Sequence, residues 1–188
     1  AHAAAKNRIN SLNCIPGNGP ISKNEGTKSD GGEVELVKGD YDEAYARACE
    51  LQQKEGRTFI HPFDDDDVIA GQGTIGLEIL DQLPNVDAVM VPIGGGGLIA
   101  GIAFAIKQLR PECKVYGVQT EGAPAMKQSF AAHPKMPTSS VSTFADGIAV
   151  QCPGAIKFDR TSKYGDEVGP GSDHDAAGAL LAVHEPQT

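Results

Sequence analysis

The run Gly94-Gly95-Gly96-Gly97 is the stretch of this sequence best suited to chemistry. Bare glycines let several backbone N–H groups converge on one anion with no side chain in the way. An apolar stretch, Asp87-Ala88-Val89-Met90-Val91-Pro92-Ile93, leads into the run, and a small-residue helical pattern from Leu98 to Leu109 leaves it. A strand that empties into glycines at the start of a helix is a phosphate cradle, because the helix N-terminus adds about half a positive charge to those amides.

Other polar groupings are weaker sites. Asp64 to Asp67 is a run of four carboxylates. It reads as N-capping and dipole compensation for the helix that follows, in preference to a divalent-metal loop, since no glycine-spaced calcium pattern accompanies it. His2, His61, His133, His174 and His184 show no zinc-ligand spacing. Asp173-His174-Asp175 reads as a solvated turn.

The elements that must position the glycines follow from patterning. Residues 1–12 read as the end of an amphipathic helix, and residues 13–22, rich in Gly, Pro and Asn, as strand end plus loop. Gly32 to Val37 alternates polar and apolar and is a short strand. Asp40 to Glu55 is a helix with Asp40 as N-cap, Glu43 three positions on and Gly56 as its stop. Arg57 to Ile60 is a short strand. A helix runs through Ile69, Leu77 and Leu80, and its Gly71, Gly73 and Gly76 permit close packing or close approach to a ligand. Strand 87–93, helix 98–109 and strand Lys114 to Val118 then form a β-α-β unit with a parallel pair. Ala123 to Phe130 is a further helix, His133 to Ser142 a loop, and Phe144 to Val150 an apolar return around Asp146-Gly147. From Gly165 the pattern degrades, with Gly169-Pro170-Gly171 where a strand belongs.

Composition bounds the partners. A net charge of −9 argues against nucleic acid, which demands a Lys/Arg surplus. No segment has the run of about 20 apolar residues of a membrane span. The N-terminus has no signal-peptide pattern and no initiator Met, as expected of a fragment or a processed product. Cys14, Cys49, Cys113 and Cys152 are widely spaced, which favours a reduced, cytoplasmic compartment over a disulfide framework.

Spacing alone leaves two ligands open. Gly95-x-Gly97-x-x-Ala100 fits the relaxed dinucleotide fingerprint, with Glu121 at the end of the next strand where a ribose-binding acid belongs. Four consecutive glycines exceed what that fingerprint needs. A longer set of strings points elsewhere: Gly71-Gln72-Gly73-Thr74-Ile75-Gly76-Leu77-Glu78, Val91 to Gly101, Gly117-Val118-Gln119-Thr120-Glu121 and Ala145-Asp146-Gly147. In order and spacing, from about Lys23 to Glu167, they resemble the threonine/serine dehydratases. These are pyridoxal-phosphate enzymes of the tryptophan-synthase-β-like fold (fold type II), with serine racemase a close relative.

The resemblance implies an α/β fold with an open, mostly parallel sheet, flanking helices and two lobes. Residues 1–64 would be part of a small mobile domain and 65–188 part of the large cofactor-binding domain. It implies pyridoxal 5'-phosphate as cofactor, its phosphate held by the N–H groups of Gly94, Gly95, Gly96, Gly97 and Leu98, with Gly147 against its ring. Asp146 would fix the local turn, and Phe63 would fall near the substrate side of the cleft. The implied reaction converts L-threonine to 2-oxobutanoate and ammonia, and L-serine to pyruvate. A same-fold serine racemase or hydroxyaspartate dehydratase is the alternative, and a dinucleotide-binding module a more distant one. The substrate would be a small amino acid, and relatives are dimers or tetramers.

Two family features are absent. The cofactor-bearing lysine sits in a Ser-Phe-Lys-x-Arg-Gly motif, and none of the eleven lysines here lies in that context. No catalytic residue is therefore assigned in this chain, which reads as a central piece of a longer protein, inactive alone. Some relatives bind a divalent cation at positions that match Gln119, Ala123 and Ala125. Those side chains lack the charged oxygens Mg²⁺ or Ca²⁺ want, so no metal is expected. Ser11 to Gly19 and Gly165 to Thr188 fit the family's pattern poorly.

Overall fold

Apolar runs bounded by glycine, proline and aspartate fold into two separate parallel sheets. The computed structural model describes residues 1–17, 19, 21–39, 41–62, 64–132, 141–150 and 163–184. The chain divides into two units, Ala1–Ile60 and His61–Thr188.

The first unit holds α1 (His2–Lys6), β1 (Leu12–Pro16), α2 (Ile21–Ser29), β2 (Glu33–Val37) and α3 (Tyr41–Glu55). β1 and β2 pair in parallel, from Leu12 opposite Glu33 to Pro16 opposite Val37. Arg47 of α3 reaches Glu35 of β2 at 2.6 Å and Glu50 at 2.8 Å, which ties helix to strand. α3 ends where expected: Gly56 takes φ +67° and its N–H donates to the Gln52 carbonyl at 2.9 Å. The expected cap Asp40 lies outside the described residues.

Three expectations are corrected here. The N-terminal helix stops at Lys6, and five residues separate it from the start of β1 at Leu12. Ile21–Ser29, read in part as loop, is the crossover helix of the β1-α2-β2 unit. Its sequence is polar, contains Gly26 and buries only Asn24, so it carries no apolar period to detect. Arg57 to Ile60 pairs with neither sheet; Phe59 instead sets its ring edge-on to Tyr45 of α3, centroids 5.7 Å apart.

The second unit runs α4 (Asp66–Gln82), β3 (Ala88–Pro92), α5 (Gly97–Leu109), β4 (Lys114–Thr120), α6 (Ala125–Ala132), a 3₁₀ turn (Asp146–Ile148), β5 (Glu167–Gly171) and α7 (Asp173–His184). The sheet order is β3-β4-β5, all parallel. Val91, Ile93, Ile99, Ile102, Ala103, Ile106, Cys113, Val115, Met126 and Val168 form one buried cluster between this sheet and its helices. Asp65 caps α4, its carboxylate accepting from Asp67 N at 2.8 Å, so the acidic run serves the helix start. Gly73 and Gly76 lie against α5, where a β-carbon would stand 3.3 Å from the Gly101 carbonyl oxygen and 3.1 Å from that of Ile102 respectively, whereas Gly71 faces open space.

The Gly165 onward stretch is also corrected. It forms β5 and α7, and Asp173–Asp175 opens α7. Pro170 is tolerated because β5 is an edge strand among the described residues. No helix among the described residues is long and apolar enough to cross a membrane.

Asp166 staples β4 to α5. Its carboxylate meets Lys107 at 2.8 Å, Lys114 at 2.9 Å and the Val115 N–H at 2.8 Å. Burial pushes the Asp166 carboxyl up, but the Lys107, Val115 and Lys114 hydrogen bonds overcome this and hold it well below the usual carboxylate range. A depressed folded-state value means the staple stabilises fully above about pH 3.9, the unfolded reference. Its contribution drains away as pH falls below that toward the folded value. Asp166→Asn is therefore expected to lower stability at neutral pH and to flatten the acid limb of a denaturation-against-pH curve. An acid limb of unchanged slope would show that the staple carries no pH-linked stability.

Candidate functional site

The β3 ladder ends with Ile93 N–H donating to the Val118 carbonyl at 2.8 Å. The chain then turns through Gly94, Gly95 and Gly96 into α5. Gly96 is the N-cap, at φ +96° and ψ −1°, and the Ala100 N–H donates to its carbonyl at 3.0 Å. That backbone conformation belongs to glycine, with asparagine a poor second. Gly96 brings no side chain of its own to cap this helix end. Ile99 and Ala100 are fully buried, and α5 buries eight of its thirteen residues, which fixes the direction in which its first N–H groups point.

A second wall comes from far along the chain. A β-carbon on Gly94 would stand 3.1 Å from Ile148 Cα, 3.2 Å from Val150 Cγ2 and 3.5 Å from the Gly147 carbonyl. The Asp146–Ile148 turn therefore packs closely against the bare face of Gly94, where a β-carbon would press on backbone and side-chain neighbours. Gly147 itself is exposed, with open space where a β-carbon would be. Gly94, Gly95, Gly96, Gly97, Leu98 and Gly147, singled out in the sequence, are thus brought to one end of the β3–α5 junction. Phe63 lies outside the described residues.

The turn is anchored by a polar cluster that sequence reading missed. Asp173 Oδ1 accepts from Thr143 Oγ1 at 2.5 Å and lies 3.1 Å from Thr120 Oγ1, and Oδ2 accepts from the Phe144 N–H at 3.3 Å. These hydrogen bonds, that of Thr143 first, hold the Asp173 carboxyl below its ordinary value against the opposing effect of burial. The partners are some 30 and 53 positions away in sequence, so no local pattern reveals them.

The Gln119 side chain is buried, its Oε1 accepting from the Lys127 N–H at 2.9 Å beside buried Ala123 and Ala125. Among the described residues no group of three or more His, Cys, Asp or Glu is placed to hold a metal ion. Glu121 follows β4, exposed, with its N–H on the Gly171 carbonyl at 3.0 Å.

The arrangement suits a phosphate monoester: amides without side chains, a helix N-terminus behind them, and a second wall packed closely on the bare face of Gly94. The sequence matches the model of the family described as "Pyridoxal-phosphate dependent enzyme" over residues 1–186. It is 46% identical over 171 residues to an L-threonine ammonia-lyase of Thermotoga maritima, covering 91% of this chain and 43% of that protein. Its backbone superposes on the processed form of threonine deaminase isoform 2 from Solanum lycopersicum with a TM-score of 0.90, at 38% identity, covering 96% of this chain and 52% of that one. It superposes on maize serine racemase with a TM-score of 0.93, at 32% identity, covering 98% and 56%. The chain spans about half the length of these relatives. The family match takes in Ser11–Gly19 and most of Gly165–Thr188, the two stretches expected to fit the family's pattern poorly.

Proposed function

This chain belongs to the family of pyridoxal-phosphate dependent enzymes, and from that premise we propose that it is the phosphate-anchoring part of an L-threonine ammonia-lyase. The reaction of the whole protein is elimination of the β-hydroxyl from L-threonine, giving 2-oxobutanoate and ammonia, with L-serine giving pyruvate. The observation that carries the reading is the bare Gly94–Gly97 turn, left-handed at Gly96 and opening a buried helix. The dinucleotide reading is set aside by the family match.

Each residue then has a role. The N–H groups of Gly94, Gly95, Gly96, Gly97 and Leu98 bind the cofactor phosphate, and the α5 N-terminus offsets its charge. Gly147, exposed and with open space where a β-carbon would be, would leave room for the cofactor ring beside the Asp146–Ile148 turn. Buried Ile93 and Ile99 back the cradle and keep water from its underside. The cofactor, when bound, supplies an electron sink at the substrate's α-carbon. The chain's contribution is orientation and charge stabilisation around it. Residues 1–64 serve as part of a small mobile domain and 65–188 as part of the large one. The full-length protein is a cytoplasmic homo-oligomer, and the 188-residue chain does not turn over by itself, since no lysine stands in the family's cofactor-bearing motif.

The test is to supply pyridoxal phosphate and L-threonine to the full-length protein and to the 188-residue chain, and to assay 2-oxobutanoate and amino-acid chirality. Product with the full-length protein and none with the chain is expected. Turnover by the chain would place the cofactor-bearing lysine among its eleven. A D-amino acid in place of the oxo acid would favour the racemase reading, which the 0.93 superposition on maize serine racemase supports.

A further inference from the structure

The geometry points to Asp173 as a positioning residue for the cofactor-phosphate cradle: by gripping Thr143, Thr120 and the Phe144 N–H, it sets the Asp146–Ile148 turn against Gly94. This rests on the cradle reading above.

Asp173 opens α7 but is not needed to cap it. Ser172 and Asp175 do that between them: Asp175 N–H donates to Ser172 Oγ at 3.1 Å, Ser172 Oγ donates to Asp175 Oδ2 at 2.6 Å, and Ala176 N–H reaches the Ser172 carbonyl at 3.0 Å. The Asp173 carboxylate is therefore spent on other elements. It collects a hydroxyl from the C-terminal end of β4, and a hydroxyl and an amide from the segment that leads into the turn.

Proton bookkeeping gives this cluster one direction. Each threonine hydroxyl has a single hydrogen to donate. A carboxylate accepts only, so Thr143 donates to Asp173 and keeps its lone pairs for the Ala145 N–H at 3.1 Å. Thr120 likewise accepts from the Gly122 N–H at 3.3 Å. The Ser142 N–H adds a bond to the Gly122 carbonyl at 2.9 Å. Ala145 is thereby fixed one residue before Asp146. The turn closes at once, Ile148 N–H on the Ala145 carbonyl at 3.1 Å, which places Ile148 Cα and the Gly147 carbonyl over Gly94. The hydrogen bonds of the Asp173 carboxylate go to Thr143, Thr120 and Phe144. It acts through Thr143 and Ala145.

The experiment titrates inorganic phosphate and pyridoxal phosphate into the full-length protein and its Asp173→Ala, Thr143→Val, Thr143→Ser and double Asp173→Ala/Thr143→Val variants. Amide exchange at Ala145–Ile148 and helix content are measured alongside. Asp173→Ala is expected to weaken both ligands about tenfold, the worth of one charge-assisted hydrogen bond. Exchange at Ala145 should quicken while α7, capped by Ser172 and Asp175, stays helical. Thr143→Val should match it, the double variant should be no worse than either single one, and Thr143→Ser should bind normally. Additive losses, or wild-type affinity in folded Asp173→Ala, would overturn the positioning role. Should Asp173→Ala not fold, the contrast of Thr143→Val with Thr143→Ser carries the same decision. Gly96→Val separates the two readings. If it abolishes phosphate binding while Asp173→Ala does not weaken it, only the positioning role fails; if neither variant changes affinity, the cradle fails as well.

Discussion

Gly96→Val is expected to abolish binding of pyridoxal phosphate and of inorganic phosphate while leaving α5 and the β3-β4-β5 sheet folded. The residue sits at φ +96° as the N-cap. A β-branched side chain there carries strain on the order of 1–3 kcal/mol, and the backbone relieves it by rotating out of the positive-φ region. That rotation swings the first amides of α5 off their common target. Strain and lost convergence together amount to at least a hundredfold in affinity, at roughly 1.4 kcal/mol per decade. Gly96→Asn, which tolerates positive φ better, should lose less than Gly96→Val. Equilibrium titration with circular dichroism as the folding control decides the matter. A folded valine variant that binds phosphate like the wild type would remove Gly94–Gly97 from the phosphate site.

The β3-glycine-α5 junction was legible because its cause is local: a strand, four glycines and a helix are neighbours in sequence. The same holds for α3, stopped by Gly56, and for the Asp65 cap of α4. What escaped reading depends on distant partners. α2 buries only Asn24, so it has no apolar face to announce it. Arg57–Ile60 has strand-like residues but no ladder to join, and a strand without a neighbour is not a strand. β5 carries Gly169-Pro170-Gly171, a poor strand on propensity, and forms because β4 offers a free edge from Tyr116 to Thr120. Asp173 looks like surface charge until Thr120 and Thr143, brought in from β4 and the loop before the 3₁₀ turn, surround its carboxylate.

Glycines within helices allow a test in which propensity and packing make opposite demands. Gly101→Ala in α5 and Gly71→Ala in α4 gain the same helix propensity, about 1 kcal/mol. Their surroundings differ. A β-carbon on Gly101 would lie 2.6 Å from Gly73 N and closer still to the Ile69 carbonyl, backbone atoms of α4 that cannot step aside singly. On Gly71 it would meet nothing within 4 Å. Gly71→Ala is therefore expected to raise stability by up to about 1 kcal/mol. Gly101→Ala should lower it despite the propensity gain, and Gly101→Val should cost about 3 kcal/mol or more by forcing the two helices apart. For a chain of this length that is a fall in Tm of roughly 6–12 °C. Because α5 begins at the cradle, Gly101→Val should also weaken phosphate binding, and Gly71→Ala should not touch it. Calorimetry on the three variants measures the signs directly. A stabilised Gly101→Ala would mean that α4 and α5 slide past one another cheaply, and that the cradle is not held in place by their contact.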